Sequence, residues 1–468
     1  MATKIISRWV LRFLLFTLFT LFLIVFDATF GVSVNSDNQH SNLPISGIYF
    51  RHYRLTNEES NREEYARLDK SFDYFLRKWQ LAGASIAIAK DGKLVYAKGF
   101  GYANKEEKIP AEPYNIFRIA SVSKLITATS VMKLVEQQKL SLDERVFGML
   151  GILNDDCYQK YKDPRIEMIT VRNLLNHSAG WSPRWGDHMF MNEEIARSLK
   201  ISLPVSLQDI VVFALSKRLH FNPGSHSSYS NLGYAILQLV IEKTTGKPYE
   251  EYVNESIFFP LGIYDAHIAR NFDNMRYADE TRYYEVPEAD PVKTYDGRDS
   301  LVLKSRGGND IQTLGAAGGW VISSVSLMKF ILAIDGSASQ FDILSQNSIN
   351  QMVERNGRFQ PLGWRWVMPN GKWWRSGSFP GTSALAVVRN DGYSYVFLTN
   401  SSPWTGARFP YEVDRMMSRA LGLIKVWPDI NLLSGKYSPY IPWEVQADMI
   451  FGFTKSLEFS NLVETHVS

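Results

Sequence analysis

The sequence predicts an α/β (α+β) fold: one antiparallel sheet built from both chain ends and flanked by helices, plus an inserted mostly helical domain. Three observations carry that expectation. Near the start, "AGASIAIAKDGKLVYAKGFGYAN" (82 to 104) holds two apolar strand-like runs around Asp91-Gly92, a two-residue hairpin signal. Near the end, "GWRWVM", "TSALAVVRN" and "YSYVFLTN" read as three more strands, the last two joined at Asp391-Gly392. Between them, from roughly 120 to 340, the pattern is helical or loop-like, and no internal repeat of fixed period is present.

The elements follow in order. Lys4, Arg8 and Arg12 precede the apolar run "FLLFTLFTLFLIVF", and small residues follow it, which is the layout of a secretory signal. The run is short for a bilayer span, which needs about 20 apolar residues. Residues 1 to 31 are therefore expected to be a signal peptide, the alternative being an uncleaved membrane anchor. The body is then secreted or faces the secretory lumen. Residues 32 to 59 read as a polar linker. In "NREEYARLDKSFDYFLRKWQ", Tyr65, Leu68, Phe72, Phe75 and Leu76 fall at helical spacing. A second flanking helix is expected over "YEVDRMMSRALGLI" (411 to 424). The catalytic domain is placed at 60 to 425, its sheet region at about 60 to 118 and 355 to 425, its helical region at about 119 to 340, and a tail at 426 to 468. The segment 271 to 312 carries Tyr277, Tyr283, Tyr284 and Tyr295, and suits either a substrate-facing loop or a surface excursion packed by its tyrosines.

Of 468 residues, 45% are hydrophobic and 21% charged, and the formal net charge is +3, so no nucleic-acid footprint is expected. The single cysteine, Cys157, excludes an intrachain disulfide, and the eight histidines show no His-Glu-x-x-His spacing. A metal site is not expected. The expected partner is a small-molecule acyl substrate, with a membrane only if the amino-terminal segment is an anchor. Oligomeric state cannot be read.

Chemistry is concentrated in three places. In "RIASVSKLITATSVMKL", Ser121 and Lys124 lie one turn apart at a helix start, so a serine hydroxyl has an amine within reach that burial can keep neutral. Spacing alone is weak, since about two Ser-x-x-Lys pairs arise by chance in a chain of this length. Ser326 and Lys329 form such a decoy, and Ser326 reads better as an N-cap. The second place is Tyr229-Ser230-Asn231, where a phenol could relay the proton and Asn231 could bind a substrate amide or hold Lys124. The third is "WWRSGSFPGTSALAVV", read as a small-residue turn around Arg375, Ser376, Gly377 and Ser378 that lets a carbonyl approach the backbone. The N–H groups of Ser121 and Ser378 would form an oxyanion hole, with Arg375 as fixed charge.

In that order, serine, lysine, Tyr-x-Asn, then a basic-x-Gly segment, the chain resembles the serine β-lactamases and penicillin-binding D,D-peptidases, and within them the class C-type branch. The blocks "FRIASVSKLITA", "VRNLLNHSAGW", "FNPGSHSSYSNLGYAILQLVIEKTTGKPYEEYVNESIFFPLGI", "AAGGWVISS" and "RSGSFPGTSA" carry the likeness over about residues 60 to 425. The resemblance implies Ser121 as acylated nucleophile, Lys124 as its base partner and Tyr229 as proton relay. It implies Asn231, Arg375, Ser376 and Gly377 on the substrate side, an oxyanion hole at Ser121 and Ser378, and no metal or organic cofactor. Arg375 departs from the Lys or His common at its position and cannot transfer protons. The function expected is a serine hydrolase, first an esterase or amidase on a small acyl substrate. Alternatives are an acyltransferase, a β-lactamase or D,D-peptidase, and a non-catalytic binding protein. His177 reads as structural. Asn176, Asn254 and Asn400 open Asn-x-Ser sequons, and Trp181 and Trp185 suit either an acyl pocket or packing.

Overall fold

The computed structural model describes residues 54 to 434, apart from 338 to 340 and 356. The expected signal or anchor, most of the expected linker and the tail from 435 onward lie outside the described residues. Folded structure reaches beyond the expected domain limits on both sides. Before residue 60, Asn57 accepts from Gly99 N and donates to the Ala111 carbonyl. After 425, Leu432 N donates to the Leu94 carbonyl.

Helix α1 (Ala66–Trp79) buries Leu68, Phe72, Phe75 and Leu76, the stripe its spacing predicts, with Tyr65 just before it. It stops where Gln80 takes a left-handed φ of 53°. Strands β1 (Gly83–Lys90) and β2 (Lys93–Asn104) follow, joined through Asp91 (φ 49°) and Gly92 (φ 77°). Two consecutive positive φ values match the twist of the strands they connect. Ile86 and Ile88 of β1 face the α1 side, while Ala87 and Ala89 face the helical region. Being covered on both faces, β1 is apolar almost throughout and does not alternate. Phe72 has its ring 5.6 Å from Phe100 and 6.1 Å from Tyr96, and truncating so buried a phenylalanine costs about 3 to 5 kcal/mol.

Short strands β3 (Ile109–Pro110) and β4 (Ile116–Arg118) lead to a 3-10 turn, Ala120–Val122, and helix α2 (Ser123–Glu136). The helical region continues through α3 (Asn231–Thr245) and returns through β5 (His267–Ile268), β6 (Trp320–Ser323) and α4 (Ser324–Leu332). This middle stretch is less purely helical than its pattern suggests. Strands β4, β6 and β5 form a three-stranded antiparallel sheet of their own, invisible to periodicity because its members are two to four residues long.

The chain then re-enters the main sheet with β7 (Trp366–Val367), β8 (Trp373–Phe379), β9 (Thr382–Val388) and β10 (Tyr393–Thr399), and closes with α5 (Phe409–Leu421). The seven-stranded order is β3-β2-β1-β10-β9-β8-β7. β1 and β10 pair antiparallel from Ala84↔Thr399 to Lys90↔Tyr393, so the sheet is assembled from both ends of the fold as expected. Two expectations need correction. "GWRWVM" supplies only a two-residue edge strand, and the 375 to 378 segment is not a turn but the middle of β8. The turn comes after it, at Pro380-Gly381, where Gly381 has φ 73°.

Tyr277, Tyr283 and Tyr284 pack the 271 to 312 segment onto the body, while Tyr295 packs within it against Phe272. Tyr283 is fully buried, accepting from Arg118 N and donating to Glu280, while Tyr284 accepts from Lys105 N. Tyr277 stacks on His267 with ring centroids 4.4 Å apart.

Candidate active site

Three pieces of chain meet between the sheet and the helical region. Ser121 lies in the 3-10 turn ahead of α2, following Ala120, which is held at φ 46° although it is not glycine. Such backbone is costly for an L-residue and persists only where its surroundings fix it. One turn on, Lys124 has no exposed surface. Its ammonium nitrogen reaches Ser121 Oγ at 3.3 Å, Asn231 Oδ1 at 2.7 Å and the Ala317 carbonyl at 2.5 Å. The expected helix spacing does put both side chains on one face, with Ser121 itself in the tighter entry turn.

Tyr229 and Asn231 come from the amino end of α3. Ser230 between them caps that helix, its side chain accepting from Gly233 N. Extended backbone at the cap turns its two neighbours toward Ser121. Tyr229 Oη stands 2.5 Å from Ser121 Oγ. Its ring is ringed by cations: Lys124 Nζ lies 4.9 Å from the centroid, the Arg365 guanidinium 5.2 Å and the Arg375 guanidinium 5.7 Å. Burial pushes the phenol up, but the charges of Lys124 and Arg375 outweigh it and bring it down to about 8. Burial likewise brings Lys124 down to about 8, with Arg375 pushing the same way and Tyr229 opposing. Two groups so close titrate as a pair.

Strand β8 supplies the opposite wall. Arg365 N donates to the Trp374 carbonyl on the β7 side, so Trp374 turns its backbone polar groups away from β9. Alternation along an unbroken register then turns the N–H groups of Ser376 and Ser378 to the same side, beyond the end of the two-residue β7, where no strand covers them. Gly377 makes the approach possible: a Cβ there would overlap the Ile119 carbonyl and stand 2.8 Å from Ser121 N. The amides of Ser121 and Ser378 are thereby neighbours, the disposition an oxyanion hole requires. The pleat puts the Ser376 side chain on the Trp374 face, so what Ser376 offers at this edge is its backbone.

Arg375, expected on the substrate side, is enclosed, and its Nη1 has no hydrogen-bond partner among the described residues. It is 1% exposed, with Nε donating to the Ser121 carbonyl at 2.7 Å and Nη2 to Tyr229 Oη at 3.3 Å. It holds the Ser121 carbonyl and the Tyr229 phenol together. Asn231 is also committed: its Oδ1 holds Lys124 and its Nδ2 donates to Asp187 at 2.7 Å. The second of the two roles open to Asn231, holding the lysine, is thus the one its contacts display.

His177 packs 4.7 Å from the Tyr229 ring, and its Nδ1 accepts from Ser230 N. Burial, with Arg375 and Lys124 nearby, keeps its pKa well below the usual range, so it is a neutral prop for the Tyr-x-Asn segment. Asn176 and Asn400 are buried, the latter donating to the carbonyls of Tyr102, Ala103 and Arg282, so neither sequon is accessible in the folded chain. Trp181 is buried, whereas Trp185 is 69% exposed.

The decoy pair is a different environment. Ser323, not Ser326, caps α4, accepting from Ser326 N at 3.1 Å, while Lys329 donates to the Gly262 carbonyl at 3.2 Å. A third Ser-x-x-Lys pair, Ser130 and Lys133 within α2, went unremarked in the sequence. There Ser130 donates to the Ile126 carbonyl and Lys133 to the Ile343 carbonyl. Asp187 and Arg365 are the site neighbours that sequence reasoning missed. Asp187 had one faint signal, a Trp-Gly-Asp-His stretch suited to capping a short turn. Among the described residues, no group of three or more His, Cys, Asp or Glu is placed to hold a metal, and no helix is long and apolar enough to cross a membrane.

Comparison with known proteins bears on this arrangement. A family model described as Beta-lactamase matches residues 68–413. Protein flp of Staphylococcus aureus (strain N315) is 27% identical over 239 residues, 51% of this chain and 44% of that protein, so the match spans less than half the length of that relative. Penicillin-binding protein 4* of Bacillus subtilis (strain 168) is 29% identical over 332 residues, 68% of each chain. The structure of D-amino acid amidase from Ochrobactrum anthropi SV3 complexed with D-phenylalanine superposes with TM-score 0.60 at 24% identity, covering 78% of this chain and 99% of that one, a likeness of fold.

Proposed function

Because the chain belongs to the beta-lactamase family, we propose that it is a serine hydrolase that forms an acyl-enzyme on Ser121 and acts as an esterase or amidase on a small acyl substrate. The observation that carries this reading is the double engagement of Ser121 Oγ, by Tyr229 Oη at 2.5 Å and by Lys124 Nζ at 3.3 Å, with the amine fully enclosed. Ser121 Oγ attacks the acyl carbon while neutral Lys124, with Tyr229, takes the hydroxyl proton. The carbonyl oxygen gains negative charge between the amides of Ser121 and Ser378. When the bond to the leaving group breaks, Tyr229 returns the proton to that alcohol or amine. Water then repeats the sequence in reverse, the same pair accepting its proton and Ser121 leaving as the restored hydroxyl. The pair must have one proton vacancy at the outset, so kcat/KM falls as pH drops through about 8.

Arg375 stays charged throughout, supporting the phenol's acidity without exchanging a proton. The amino-terminal charge and apolar run favour delivery of this chemistry to the secretory lumen or beyond.

A fluorophosphonate probe tests the reading, since it reacts only with an activated serine. The expected result is stoichiometric labelling of the parent protein, mapped to Ser121 by mass spectrometry, and none of Ser121→Ala. Equal labelling of the two proteins, or none of a folded parent, overturns it. A panel of small esters and amides with the labelled fraction as active-site titrant then ranks acyl donors.

A further inference from the structure

The loop from Ser182 to Phe190 reaches the site, and its sequence offers only the Trp-Gly-Asp-His stretch and Trp185 as signals of a role. Asp187 in it is 44 residues from Asn231 in sequence, yet its Oδ2 accepts from Asn231 Nδ2 at 2.7 Å. We propose that Asp187 is a positioning residue of this site: it fixes which way the Asn231 amide points and thereby where Lys124 is held. The proposal rests on the acyl-enzyme reading only for the kinetic consequence, not for the geometry.

A primary amide is nearly symmetric in shape, and its two orientations differ only in which end donates. Toward Lys124 the two ends are not equivalent. The oxygen accepts from the amine, whereas the NH2 group turned that way would oppose a second donor and leave Lys124 short of a partner. A carboxylate can only accept from the other end, so Asp187 selects the orientation with Oδ1 toward Lys124. Asp187 is itself held. Its Oδ1 accepts from Met189 N at 3.1 Å, capping the turn His188–Phe190. At the far end of that turn the Phe190 ring lies 5.7 Å from Phe379, next to Ser378 in β8. At the near end Ser182 N donates to His220 Nδ1. The loop therefore touches the asparagine on one wall and the strand that bears the second oxyanion amide on the other.

The charges around Lys124 define the expected sign. From α3 and its approach come Tyr229, Asn231 and the Tyr234 ring at 5.5 Å; from β8 comes Arg375; from the helix Ile311–Gly318 comes only the Ala317 carbonyl; from behind Tyr229 come neutral His177 and Arg365. Asp187 is the carboxylate that acts on the amine, favouring its charged form against burial and Arg375. Removing that charge lets the amine lose its proton at lower pH.

Asp187→Asn and Asp187→Ala grade the two effects. The asparagine variant loses the charge and keeps one oxygen, which can serve Asn231 Nδ2 or Met189 N but not both. The acid limb of its kcat/KM is expected to move down by about one pH unit. The alanine variant loses the acceptor as well, and its acylation rate per fluorophosphonate-titrated site is expected to fall about 10-fold to 100-fold, with KM changing less. Lys124 titration followed by 13C NMR at Cε gives the same downward shift in Asp187→Asn without any turnover. An unmoved Lys124 titration in Asp187→Asn, or an alanine variant that merely melts earlier while its rate per titrated site stays at the parent value, overturns the proposal. Failure of Ser121 to label in the parent would instead overturn the acyl-enzyme reading, and the Lys124 titration still decides the role of Asp187.

Discussion

Residues 121 to 124 and 326 to 329 have the same formula, a serine followed three positions later by a lysine at the head of a buried helix. In both, burial pushes the lysine pKa down. What differs is the company. Lys124 is fully enclosed and touches a hydroxyl, an amide oxygen and a carbonyl, with a phenol and a guanidinium beside it. Lys329 is partly exposed and reaches one loop carbonyl, while its serine sits in the first turn of a helix that its neighbour Ser323 caps. A lowered amine pKa thus stands alone at one place and beside a hydrogen-bonded hydroxyl and phenol at the other. Chemistry arises where desolvation coincides with a second acid-base group and a place for developing charge.

The contrast can be broken or sharpened by substitution. The largest effect is expected for Lys124→Met against Lys329→Met: acyl-enzyme formation should drop by about 10²-fold to 10⁴-fold in the first, the range for losing a general base, and stay within about twofold in the second. A comparable loss in both, measured by single-turnover burst kinetics, would mean that Lys329 belongs to the site. Next comes Arg375→Met, which removes a charge that lowers both Lys124 and Tyr229. Both then lose their protons only at higher pH, so the acid limb moves up and kcat/KM at pH 7 falls by about tenfold per pH unit of movement. Arg375→Lys keeps the charge, and its limb should stay near that of the parent. The smallest effect belongs to Ser323→Ala, expected to cost about 1 kcal/mol in urea unfolding as a lost N-cap while kcat is unchanged. A drop in kcat instead would tie the α4 cap to the chemistry.

How much of this was legible follows from what each feature asks of the sequence. The hairpins at Asp91-Gly92 and Asp391-Gly392 demand positive φ, and the chain advertises it. The α1 stripe is a 3.6-residue repeat with no competing signal. Ser121, Lys124, Tyr229 and Asn231 could be proposed because each sits beside a helix start, where local spacing dictates direction. The middle of β8 misled because Arg-Ser-Gly-Ser has the composition of a turn. Its small residues are there for another reason, since Gly377 must pass the Ile119 carbonyl within the space a side chain would occupy. Ser326 misled because "SSVS" offers several oxygens for one cap, and propensity cannot choose among them. Arg365, the enclosure of Arg375 and the reach of Asp187 to Asn231 depend on contacts between residues far apart in sequence, and the local pattern at Asp187 encodes only its cap of the short turn.

The pairing of β1 with β10 has an outcome in time as well as in space. Ser121 leaves the ribosome some 250 residues ahead of Ser378, and the strand that carries Ser378 has only the two-residue β7 to align it until β9 and β10 have followed and closed onto β1. Throughout that interval the nascent chain owns its reactive hydroxyl but no paired amides to draw an acyl oxygen toward it. On the acyl-enzyme reading proposed above, reactivity toward esters and amides is deferred almost to the end of synthesis, and a product truncated before β8 lacks it.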